Sequence, residues 1–269
     1  MERKINNLSI CYTLFLILLF LSGSLPGLIS GAVRLLAFLI PFGLGLMYLR
    51  EEENTGEKYL FLSTNNLKFT LPLAFPTVLV VMLISALTSI IIKLASGVEN
   101  NVDVGNALIP ALISHALVPA VFEEILFRYL PMRLLSSYSR RVTVLVSALF
   151  FALVHHDFFS IPYAFIAGIV FMTVDLASDS ILPSVLIHFI NNALSVSLVM
   201  FKDNPLVAPA ILWALGIMTV VSFIFIIIKR HRYKQILLFA FSGGEKLTFN
   251  FEMLVFSVIT LFMAVLQLL

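Results

Sequence analysis

Long apolar runs, separated by short polar gaps, repeat along the whole chain. They fall near residues 8–25, 31–49, 69–95, 107–130, 142–159, 161–178, 181–200 and 207–228, with a further run at 251–269. A helix needs about 20 predominantly apolar residues to cross the hydrocarbon core of a bilayer. The pattern therefore predicts about eight or nine transmembrane helices. The stretch 236–242 is apolar but too short to span. The loops are short, and the largest polar insert is Arg50–Lys68, whose Glu51-Glu52-Glu53 run reads as a solvated face. There is no obvious internal repeat and no extramembrane domain.

Composition sharpens that picture. Of 269 residues, 60% are hydrophobic and 12% charged, against roughly 25% charged in soluble domains, and the mean hydropathy is +1.05. The fold class expected is all-α, a polytopic membrane helix bundle in a multi-pass protein of the cell membrane, with the lipid bilayer as its surroundings. A single cysteine, Cys11, excludes an intramolecular disulfide. No nucleic-acid-binding pattern and no Gly-rich phosphate loop is present.

Charge placement sets an orientation, because Lys and Arg gather on the cytoplasmic side of membrane helices. With the N-terminus cytoplasmic, only Arg34, Lys93 and Lys202 of the 17 Lys and Arg residues fall outside. The basic segment Lys229–Lys234 then lies inside, after eight spans. The N-terminal Met-Glu-Arg-Lys, apolar run and Ser22-Gly23-Ser24 resemble a signal peptide; the length of the apolar run favours an uncleaved first span.

Most carboxylates sit at or beyond span ends, and Asp175 lies close enough to its end to reach the interface. Glu123 and Glu124 are the exceptions: they stand inside an apolar run with Arg128 one turn on. A carboxylate near a helix centre costs roughly 2.5–3.5 kcal/mol on insertion scales. Glu124 and Arg128, four apart with Glu first, suit an ion pair. Neighbouring residues on a helix point about 100° apart, so Glu123 is left without that cation and is free to act as a proton acceptor. Phe151 and His155 are four apart on the next helix, and His188 and Asn192 four apart on another.

Three polar clusters on three apolar helices point to one buried cavity. A Glu, a His and a His–Asn pair supply a water activator, an acid and oxyanion donors for attack on a carbonyl. Glu123, His155 and His188 are also a familiar zinc-ligand combination with a fourth position open for water. No His-Glu-x-x-His occurs.

The ordered motifs Glu-Glu-x-x-x-Arg (Glu123, Glu124, Arg128), Phe-x-x-x-His (Phe151, His155) and His-x-x-x-Asn (His188, Asn192) resemble those of the CAAX protease and bacteriocin-processing (CPBP, or Abi) intramembrane endopeptidases. Phe127-Arg128 and the approach through Ser180-Ile-Leu-Pro183 are similar as well. The resemblance covers roughly residues 107–200; Tyr129 departs from it, standing where the family often has Gly. It implies a catalytic core at 107–200 between N-terminal transmembrane helices (1–106) and C-terminal ones (201–269). The implied activity is hydrolysis of a peptide bond in a membrane-associated peptide or protein tail. By the same resemblance Glu123 and His155 activate water, with Glu124 and Arg128 in structural support. His188 and Asn192 form the oxyanion site, or His188 joins Glu123 and His155 as a zinc ligand, since the family is described both as glutamate-dependent and as metalloproteases. His115 and His156 match no motif and read as structural.

Two other classes use intramembrane Glu, His and Asn. A proton- or ion-coupled transporter would show two similar halves with interrupted helices, and no such duplication is evident. A non-catalytic membrane scaffold or bacteriocin-immunity protein of the same fold would carry the same motifs.

Overall fold

The computed structural model describes residues 2–50, 62–99, 103–244 and 251–266, and among them there is helix and no strand. In lipid every backbone polar group must be satisfied within the protein, and helices do this segment by segment. In chain order the helices are α1 (Glu2–Gly23), α2 (Gly27–Arg50), α3 (Leu67–Ser96), α4 (Leu108–Leu134) and α5 (Arg140–Leu153). They continue with α6 (Ile161–Ser178), α7 (Leu182–Met200), α8 (Val207–Ile228), α9 (Arg230–Ala240) and α10 (Phe251–Leu266). Seven of these, α1–α4 and α6–α8, are long and apolar enough to cross a membrane. The run at 142–159 yields only the 14-residue α5, because His155-His156-Asp157 turns the chain. The run at 251–269 yields a 16-residue helix within the described residues. Glu51, Glu52, Glu53, Lys58 and Lys246 lie outside the described residues.

Local chemistry sets the helix ends around the site. Asp157 Oδ1 accepts from the Ser160 N–H at 2.7 Å, and Pro162 follows in the first turn of α6, where a missing N–H does no harm. Asp179, at φ 49°, ends α6 in the left-handed region, which Asp tolerates better than most residues. Pro183 stands in the first turn of α7.

The helix α4 is not regular. It contains two π-helical turns, Ile113–Leu117 and Ile125–Tyr129, each followed by a proline within two residues. Pro131 has no N–H to return to the preceding turn. The carbonyls left there are taken by side chains: Tyr12 Oη donates to the Leu126 oxygen at 3.1 Å, and Ser147 Oγ to the Phe127 oxygen at 2.6 Å. Thus α1 and α5 are fastened to α4 one turn beyond the paired glutamates. Tyr12 also stacks on Phe127 with centroids 4.7 Å apart, and this aromatic layer, with Phe15 and Phe150, forms the centre of the main core.

The helices alternate in direction, which gathers their ends on two faces. On one face Lys4 Nζ donates to Ser137 Oγ, Arg232 Nη2 to Asn66 Oδ1, Asn66 Nδ2 to the Ala177 oxygen, and Tyr233 Oη to the Phe69 oxygen. Arg140 packs its guanidinium 3.9 Å from the centre of the Phe239 ring there. This is the basic face. At the opposite face Thr88 Oγ1 donates to the Phe159 oxygen, and Lys93 pairs with Glu99 at 2.7 Å. Between the faces, α8 turns Trp213, Ile217, Val220 and Ile224 outward, the large apolar surface that a bilayer covers and water would not.

Candidate functional site

Three helices and one helix end bring the site together. The π turn and Pro131 hold α4, so that Glu123 and Glu124 both face α7. Close packing of α5 on α6 sets the second wall. Gly168 makes it possible: a Cβ there would lie 2.8 Å from the Ala148 Cα, a backbone atom. That approach brings Phe151 and Phe171 to either side of His188. The Phe171 ring stacks on the imidazole at 5.4 Å between centroids, and Phe151 meets it edge-on at 5.8 Å.

His188 sits between the two glutamates. Its Nδ1 lies 2.8 Å from Glu124 Oε1, and its Nε2 lies 3.9 Å from Glu123 Oε2. A carboxylate accepts only, so Nδ1 donates to Glu124 and the ring orientation is fixed. The second distance is too long for a direct hydrogen bond and suits a bridging water. Sequence geometry alone separates the two glutamates by about 100°. The structure reconciles this with a shared partner, since an imidazole presents nitrogens on two sides.

Behind Glu124 the charge is balanced in a fully buried setting. Glu124 Oε2 faces Arg128 Nε at 3.2 Å, and both side chains have no exposed surface. Arg128 Nη1 donates to the Phe127 oxygen at 3.0 Å and Ser147 Oγ at 3.2 Å, and the guanidinium lies 4.3 Å from the Phe151 ring centre. These bonds offset part of the cost of burying the pair, while Arg128 Nη2 has no hydrogen-bond partner among the described residues. The structure places Glu124 and Arg128 in contact as an ion pair.

His155 follows the end of α5. Its Nδ1 lies 2.8 Å from the Phe151 oxygen. A carbonyl can only accept, so Nδ1 carries hydrogen and Nε2 is the basic nitrogen of the neutral ring. Its ring also meets Phe151 edge-on, 5.0 Å between centroids. Asn192 Oδ1 accepts from Asn191 Nδ2 at 3.0 Å, which leaves the Asn192 amide hydrogens for other partners.

Glu123, His155, His188 and Asn192 all line one cavity of about 1010 Å³. Glu124 and Arg128 lie behind its wall. Of the two histidines read as structural, His115 lines the same cavity and shares a 2.8 Å hydrogen bond with Ser114 Oγ.

Asp175 corrects a sequence expectation. It does not reach the interface; it is fully buried, and Oδ1 accepts from the Ser184 N–H at 3.0 Å. Ser184 is in the first turn of α7, where N–H groups lack helical partners and a carboxylate is favoured. Asp175 thus fixes the start of the helix that carries His188. The tight return from α6 to α7 is the sequence signal that would have indicated it.

As to zinc, the proposed set does not fit as placed. The Nδ1 bonds of His188 to Glu124 and of His155 to a carbonyl leave both Nε2 atoms free, as in metal-bound imidazoles; it is the spacing of the groups that fails. Among the described residues no three His, Cys, Asp or Glu side chains group closely enough to hold a metal ion.

Residues 105–194 match a family model described as type II CAAX prenyl endopeptidase Rce1-like. No curated protein and no solved structure matches the chain.

Proposed function

We propose that this membrane helix bundle, whose residues 105–194 match the Rce1-like CAAX prenyl endopeptidase model, hydrolyses a peptide bond in a membrane-associated peptide or protein tail, using Glu123, His155, His188 and Asn192. The observation that carries this is the convergence of those four side chains on one cavity. Glu123 and the Nε2 of His155 take a proton from water as its oxygen attacks the scissile carbonyl. His188 Nε2–H, when the ring carries both protons, and the Asn192 amide donate to the oxygen that becomes negative. The proton then passes to the leaving amine as the C–N bond breaks. Donors aimed at a developing oxyanion contribute about 10²–10³ in rate each, and a placed base about 10²–10⁴. Glu124 holds His188 in position and Arg128 balances Glu124; both are positioning residues. No step passes through a metal, and the cell membrane is the proposed location.

The test compares membrane peptides, by mass spectrometry, from cells with the wild-type chain and with Glu123→Ala. Peptides truncated only in the wild type support hydrolysis. Identical peptide sets overturn it in favour of a non-catalytic scaffold.

A further inference from the structure

Two pairs of residues, each four apart, meet across the return from α6 to α7. Phe171 and Asp175 lie on α6; Ser184 and His188 lie on α7, which runs the opposite way. Residues four apart share one face of a helix, so the two faces meet at two levels one turn apart. At the level nearer the return, Asp175 Oδ1 accepts from the Ser184 N–H at 3.0 Å. At the other, the Phe171 ring stacks on the His188 imidazole, with centroids 5.4 Å apart and planes at 29°. Asp175 is also engaged through its backbone, where its carbonyl accepts from the Ser180 N–H at 3.2 Å. One residue thus holds both the return and the first turn of the helix that follows it.

Asp175 is part of the buried charge group as well as a cap. It is fully buried, as Glu124 and Arg128 are, and it feels the charge of both. The Ser184 hydroxyl interacts with Glu124 as well as with Asp175. Burying a carboxylate costs free energy that an apolar side chain would not, so an acid there does more than fill space. We propose that Asp175 is a positioning residue for the reaction: its bond to Ser184 sets the register of α7 on α6 and so aims His188 between the two glutamates. This rests on the reading of the site as a proteolytic centre. The lever is short, because Ser184 and His188 are one turn apart, about 6 Å along the axis. A shift of one residue would turn His188 by about 100°, away from both acids. A smaller shift matters too. The 2.8 Å contact of Nδ1 with Glu124 Oε1 lies within a hydrogen-bonding range only about 0.5 Å wide. Glu124 grips the ring, and Asp175 grips the backbone that carries it.

The test reads the imidazole directly. The chain has five histidines, so the imidazole N–H signals of protein labelled with ¹⁵N-histidine can be resolved in detergent. The His188 Nδ1–H signal is assigned by its absence from His188→Gln. The His155 Nδ1–H, bonded to the Phe151 carbonyl on α5, is the internal reference. Wild type and Asp175→Asn, whose amide oxygen still accepts from the Ser184 N–H, should show the same slow exchange of the His188 signal with water. Asp175→Leu should speed that exchange about 10-fold or more, the scale of one lost hydrogen bond, with the His155 signal unchanged. Asp175→Ala carries the same expectation and takes its place if the melting temperature shows that Asp175→Leu does not fold. In the peptide comparison, truncated peptides should appear with Asp175→Asn as with the wild type, and fall about 10-fold in the variants that lack the acceptor. Unchanged exchange without the acceptor, equally fast exchange in Asp175→Asn, or undiminished truncation without the acceptor overturns the proposal. Altered exchange with no truncation even by the wild type would retain the register lock and reject the proteolytic reading, so the two failures are separable.

Discussion

Glu124 holds His188 through Nδ1 at 2.8 Å, and so turns the other imidazole nitrogen toward Glu123. The two adjacent acids have different tasks as a result. One is sealed behind the cavity wall with Arg128, and the other lines the cavity. Partners that orient an imidazole by its second nitrogen decide its tautomer and direction.

Glu123→Gln keeps the shape and removes the base. Turnover should fall about 10²–10⁴-fold, while the detergent-solubilised protein keeps its melting temperature. Wild-type cleavage rates in Glu123→Gln would remove this residue from the chemistry.

Arg128→Ala leaves Glu124 charged in a fully buried place, which costs about 3–5 kcal/mol, and should lower folded yield. The double variant Arg128→Met with Glu124→Gln should recover yield but not activity, because His188 loses its carboxylate. Recovery of both would show that the carboxylate is dispensable for orienting the imidazole.

For Asn192→Ala the expected loss is about 10²–10³ in kcat, with KM little changed. A rise in KM alone, measured over a substrate series, would assign Asn192 to substrate binding instead.

Gly168→Leu should prevent α5 and α6 from meeting, since even a Cβ would lie 2.8 Å from the Ala148 Cα. Lower melting temperature and lost activity are expected together. An unchanged melting curve would mean that the helices separate at little cost.

Chelator treatment should leave cleavage unchanged, since among the described residues no three His, Cys, Asp or Glu side chains are grouped for a metal. Loss of cleavage on chelation and its return with zinc would reassign Glu123, His155 and His188 as ligands.

The cluster Glu123, Glu124, Arg128, His155, His188 and Asn192 was legible because polar groups inside apolar helices stand out against a uniform background. What escaped was geometry that depends on departures from the regular helix. A period of about 3.6 residues does not describe α4, whose π turn adds a residue to the loop of each hydrogen bond just after Glu124. Pro131 was the available clue. Hydropathy also merged α5 with the turn after it, because Phe158, Phe159 and Ile161 offset the polar His155-His156-Asp157. Asp175 was misjudged because distance from a helix end says nothing about what the next helix lays over it.

The bond from Tyr12 to the Leu126 carbonyl joins residues separated by 114 positions. During synthesis, at about 5–20 residues per second, α1 enters the bilayer many seconds before its acceptor exists. Its phenol must wait in lipid, or be held by the insertion machinery, until α4 arrives. Assembly of the core is therefore bound to a late event in translation, and a pause between α3 and α4 would prolong the interval in which the first helix is unpartnered.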